Sequence, residues 1–151
     1  MRYITFFILL TLISACAPLS TAEPTSTAAL PYRITPDENN YAPQVDDSGR
    51  LPAGVTITAT ALSERYDFTP PRAMLTLSGY MPSVCNELRI KVNPPDENFR
   101  IFIEVYSLID PEIKCDDVFQ QFETSVLFGE YSSGRYTVWV NEGLVGDFVA
   151  Y

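Results

Sequence analysis

About a hundred residues at the C-terminal end of this 151-residue chain predict an all-β protein, a seven-stranded β-sandwich. Three observations carry the prediction. Apolar and polar residues alternate with period two in run after run, as half-buried strands require. Gly, Pro, Asn and Asp separate the runs at short intervals. No stretch shows the 3.6-residue apolar period of a helix.

The strands follow in order. Residues 55–60 set Val55, Ile57 and Ala59 against three threonines, and residues 73–77 repeat the alternation around Leu75 and Leu77. The connection between them, residues 65–71, carries Pro70 and Pro71 and is expected to hold a short extra strand. In residues 88–92, Leu88, Ile90 and Val92 share one face, leaving Arg89 and Lys91 on the other. After a turn at 93–98, residues 100–106 place Ile101, Ile103 and Val105 inward and Phe102, Glu104 and Tyr106 outward. Residues 122–128 group Phe122, Val126 and Phe128. Residues 136–140 turn Tyr136, Val138 and Val140 in and Thr137 and Trp139 out; residues 145–151 close the chain. In the last turn, residues 141–143, Gly143 is expected at a position with φ > 0.

The run Gly134-Arg135-Tyr136-Thr137-Val138-Trp139-Val140-Asn141 resembles the penultimate strand of fibronectin type III and related bacterial immunoglobulin-like domains. The resemblance implies an immunoglobulin/fibronectin-III-like sandwich with strands A, B, C, C′, E, F and G in chain order and a sheet ordered C′-C-F-G. It implies a tyrosine corner at Tyr136, whose hydroxyl would bond a nearby backbone group. The strand-C tryptophan and the B–F inter-sheet disulfide of true immunoglobulin domains have no counterpart here. With that strand order, Cys85 in the B–C loop and Cys115 in the C′–E loop fall at one pole. An even pair of cysteines in an exported chain is a disulfide by default. The F–G turn is expected at the same pole.

The N-terminal end gives an address. One cation at Arg2, an almost wholly apolar run at 4–13 and small residues before Cys16 are the order of an export signal. Ile13-Ser14-Ala15-Cys16 resembles the lipobox of bacterial lipoproteins. The resemblance implies a signal peptide at 1–15, lipid on Cys16 and attachment to the outer face of the bacterial cell membrane or to the outer membrane. Residues 16–52, rich in Pro, Ser and Thr, read as a disordered tether, and 53–151 as the sandwich.

Composition narrows function. The chain has no histidine, which removes Ser-His-Asp and Cys-His catalysis and most zinc sites. A net charge of −9 and a pI near 4.3 disfavour nucleic acid. No cofactor or enzymatic activity is expected, and the acidic loop 110–117 follows no known calcium pattern. The expected outer face of the C′-C-F-G sheet carries Arg89, Lys91, Phe102, Glu104, Tyr106, Thr137, Trp139, Asp147, Val149 and Tyr151. From these, Phe102, Tyr106, Arg89, Lys91, Trp139 and Tyr151 are the candidate binding face, for a protein or carbohydrate partner. Two other expectations are a surface protease inhibitor acting through the pole loops and an architectural subunit of an envelope complex.

Overall fold

The computed structural model describes residues 39–151. The expected signal peptide at 1–15, the expected lipidation site Cys16 and residues 17–38 of the expected tether lie outside those residues. The rest is a two-sheet β-sandwich of eight strands: β1 (Leu51–Ala53), β2 (Thr56–Arg65), β3 (Arg72–Met81), β4 (Glu87–Val92), β5 (Arg100–Ile109), β6 (Gln120–Leu127), β7 (Gly134–Val140) and β8 (Gly143–Ala150). β2, β3 and β6 form one sheet with β3 central; the other five strands form the second.

Each predicted run is a strand, and in β3 to β7 the inward residues are those that alternation selected; in β2 a bulge leaves Ala59 exposed and brings Leu62 onto the core. Leu88, Ile90, Ile101, Ile103, Val105, Tyr136, Val138 and Val140 are buried, and they pack against Leu75, Leu77, Val126 and Phe128 of the facing sheet. The tyrosine corner is present: the Tyr136 hydroxyl donates to the Ser132 carbonyl at 2.9 Å.

Five expectations are corrected. The second sheet runs β4-β5-β7-β8, so strand C lies at the edge and C′ pairs with F, in parallel, over Arg100↔Thr137 to Ile103↔Val140. No extra strand forms at 66–71; β2 itself extends to Arg65, and Phe68 sits under the guanidinium groups of Arg65 and Arg72. The last turn stands below the pole, because Val140 is level with Ile103 while β5 continues to Ile109. Its positive-φ residues are Asn141 (44°) and Glu142 (71°), not Gly143, which already belongs to β8.

The fifth correction concerns the tether, because residues 39–52 are part of the sandwich. The Ile90 N–H donates to the Tyr41 carbonyl (2.7 Å) and Asn39 Nδ2 donates to the Ile90 carbonyl (2.8 Å), which satisfies the outer edge of β4. A 3-10 turn, Val45–Gly49, follows, and then β1 pairs antiparallel with β5. This strap has the composition of a disordered segment, but it is held by groups distant in sequence, 42 residues away for Asp47–Arg89 and 51 for Asn39–Ile90.

β1 and β7 share one edge of β5, and Asn141 fills the gap between them. Val105 N–H donates to Asn141 Oδ1 and Asn141 Nδ2 donates to the Val105 carbonyl, both at 2.8 Å, so one side-chain amide imitates a strand rung. Asn tolerates the left-handed region; Glu142 has no such compensation. Glu142→Gly would leave an Asn-Gly two-residue turn, the favoured sequence for a hairpin of this kind. It is expected to raise stability by about 0.5–1 kcal/mol, read as an increased urea midpoint at unchanged slope.

Candidate functional site

Sheet order decides which outward side chains meet. Phe102 of β5 pairs with Trp139 of β7, and Trp139 pairs with Leu144 of β8. The Phe102 and Trp139 ring centroids are 6.1 Å apart at 32°, and the indole N–H donates to Thr137 Oγ1 at 3.1 Å. Asn93, just beyond β4, continues the row and donates Nδ2 to the Phe102 carbonyl at 3.1 Å. The result is a transverse stripe, Asn93–Phe102–Trp139–Leu144, across the solvent side of the sheet. Trp139 and Phe102 are half-buried, and Leu144 is 59% exposed.

Alternation alone misses Leu144. The register slips between Val138 and Trp139, with Gly146 opposite the first and Leu144 opposite the second. Val145 is left as the extra residue and packs on the core, while Leu144 turns outward. The signal that could have revealed a bulge is the pair Gly143 and Gly146 around two apolar residues.

Of the six candidate face residues, the structure brings Phe102 and Trp139 together, with Lys91 at their border. Lys91 faces Glu104 across the strands at 2.7 Å, and Glu104 also accepts from Asn93 Nδ2 at 2.8 Å. These donors, Lys91 first, hold the Glu104 carboxyl below its ordinary range. Tyr151 is not part of the group. Ala150 pairs with Gly134 at the far end of β7, about 16 Å from Trp139 at strand rise.

Arg89 is withdrawn from solvent. Its side chain is 6% exposed under the strap, where Nε and Nη2 fork onto the Asp47 carboxylate at 2.7–3.1 Å. Glu87 is 3.1 Å away and is itself bonded to Arg50 at 2.5 Å. Asp47 and Glu87 are both held below the carboxylate range, Asp47 chiefly by Arg89 and Glu87 chiefly by Arg50. Tyr106, the cross-strand neighbour of Arg89, is half-buried; burial pushes its hydroxyl up, and the Asp47 charge adds to the shift. The strap therefore covers the upper part of the predicted face and leaves the stripe open below.

The pole forms a second surface. Cys85 and Cys115 are disulfide-bonded, with Cα atoms 6.1 Å apart. Closing this loop contributes about 3–4 kcal/mol in the chain-entropy account. Beneath it, Ser83 Oγ donates to Asn86 Oδ1 and Asn86 Nδ2 donates to the buried Ser107 hydroxyl, which positions the Cys85 loop. Val84, Ile113, Val118 and Phe119 are exposed around the disulfide, Phe119 to 74%. No cluster of three or more metal-ligating side chains occurs among the described residues.

These features define a disulfide-stapled β-sandwich with an aromatic stripe that the described strap does not cover. The family model for the ORF11 beta-sandwich domain matches residues 75–150, half of the chain, and the protein belongs to that family. The match begins within β3 and ends on the last residue of β8. No curated protein and no solved structure matches the chain.

Proposed function

We propose that this protein is a binding module of the bacterial envelope, tethered by lipid on Cys16 and recognising its partner through the stripe Phe102–Trp139–Leu144. The lipobox-like residues 13–16 support the anchor. The observation that supports recognition is the stripe itself: cross-strand neighbours, apolar, solvent-facing, and left open where the strap buries Arg89. An aromatic residue at the centre of a polar rim is the arrangement that binding hot spots use.

Two measurements test the reading. Mass spectrometry of membrane-extracted protein is expected to find acyl chains on Cys16; an unmodified residue there removes the anchor. Capture of partners by detergent-solubilised full-length protein is expected to fall about tenfold or more in Trp139→Ala, with the variant still unfolding cooperatively. Full capture by that variant rejects the stripe.

The exposed apolar residues around the disulfide favour a second reading, inhibition or docking through the pole. That reading predicts the opposite result: capture survives Trp139→Ala and is lost when residues 110–117 are shortened.

A further inference from the structure

We infer that the stripe accepts the flat face of a neutral glycan chain. The inference rests on the reading of this sheet face as a binding surface and names its ligand class.

The shape is the first argument. The row from Asn93 to Leu144 crosses four strand positions, about 14 Å at the usual inter-strand spacing, and is one side chain wide. A protein partner needs an extended patch, roughly 800 Å² on each side. A narrow apolar track instead matches a linear chain of rings. Sugar rings present C–H faces and hydroxyl edges, so they need an apolar centre with polar groups alongside. The indole N–H is already committed to Thr137, so what Trp139 offers is its π-face.

Polar groups lie along the track. A depression of about 340 Å³ beside Phe102 is lined by Asn93, Glu104, Asn141 and Glu142. The Glu104 carboxylate, kept ionised by Lys91 and Asn93, retains acceptor capacity for hydroxyl donors. The Arg100 guanidinium lies 5.4 Å from the Phe102 centroid on the same outer surface.

Charge selects among glycans. The cations nearest the stripe are paired: Lys91 with Glu104 and Arg100 with Asp96 at 2.7 Å; farther along the sheet, Arg135 pairs with Asp147. With a net charge of −9, the molecule has no surplus positive field for a polyanion. A neutral ligand leaves these pairs intact, and carboxylates at the edge of the track suit hydroxyl groups better than sulfate, phosphate or uronate.

The test is an array of immobilised neutral and anionic oligosaccharides probed with detergent-solubilised full-length protein. Binding to neutral chains is expected, about tenfold or more weaker in Trp139→Ala and in Phe102→Ala, and retained in Phe102→Tyr. Thermal unfolding confirms that each variant is folded. Binding confined to anionic chains, binding indifferent to Trp139, or an array without signal overturns the inference. If the array is empty while Trp139-dependent capture of a protein persists, the glycan is refuted and the binding face survives.

Discussion

Adding one methyl group at Gly79 is expected to destabilise the sandwich by about 3 kcal/mol, the top of the usual range for overpacking a core. Gly79 lies in the central strand of the three-stranded sheet, with β2 on one side and β6 on the other. A Cβ there would stand 2.1 Å from the Thr56 carbonyl oxygen, 2.9 Å from Phe122 Cζ and 3.1 Å from Ile57 Cα. The ring can swing away, but the backbone cannot. β2 bulges at this place, with its register to β3 slipping between Ile57 and Ala59. The Thr58 hydroxyl donates to the Ser78 carbonyl at 3.1 Å and holds the bulge against the glycine. The measurement is urea unfolding, where the midpoint should fall at constant slope. A double variant, Gly79→Ala with Phe122→Leu, separates the two contacts. It should recover only a minor part of the loss, because the carbonyl remains in the way. Full recovery would mean that the ring, and not the bulge, is the obstacle.

The same bulge marks the limit of what alternation can reveal. Period two identifies strands and their inner faces well because burial imposes it one strand at a time. Tyr136, Val138 and Val140 needed no knowledge of their neighbours to be placed inward. Pairing order is a different quantity. Nothing in the local pattern of residues 88–92 distinguishes a central from an edge strand, so β4 and β5 are exchanged relative to expectation. Bulges invert parity, which is why Leu144 joined Trp139 unforeseen while Tyr151, with the favoured parity, lies far from it. Arg89 failed for a third reason. Its partner, Asp47, sits in a stretch whose Pro, Ser and Asp content reads as unfolded chain, and composition does not report a tertiary ion pair 42 residues distant.

That ion pair carries the second large prediction. Asp47→Asn is expected to cost about 2–3 kcal/mol. Removing one partner of a buried pair ordinarily costs about 3–5 kcal/mol, because the other charge is left uncompensated. Here the loss is smaller, since Asp47 remains 14% exposed and Glu87 still bonds Arg89. The damage should be local as well as global. Amide exchange at Ile90, whose N–H is held by Tyr41 of the strap, should accelerate relative to the core amides of β3. The acid limb gives an independent check. The folded Asp47 carboxyl is held below its unfolded value of about 3.9, so the folded state binds fewer protons through that range. Its contribution is therefore complete above about pH 4 and is lost as pH falls through the lower, folded value. The Asn variant should show a shallower decline of stability in acid, with the difference from the native chain closing as pH falls through the folded value. Replacing both partners, Asp47→Leu with Arg89→Met, should restore much of the loss, because a well-packed apolar pair can equal a buried ion pair. If the double variant is no more stable than Asp47→Asn, the strap is held by the charge itself and not by the surface that it covers.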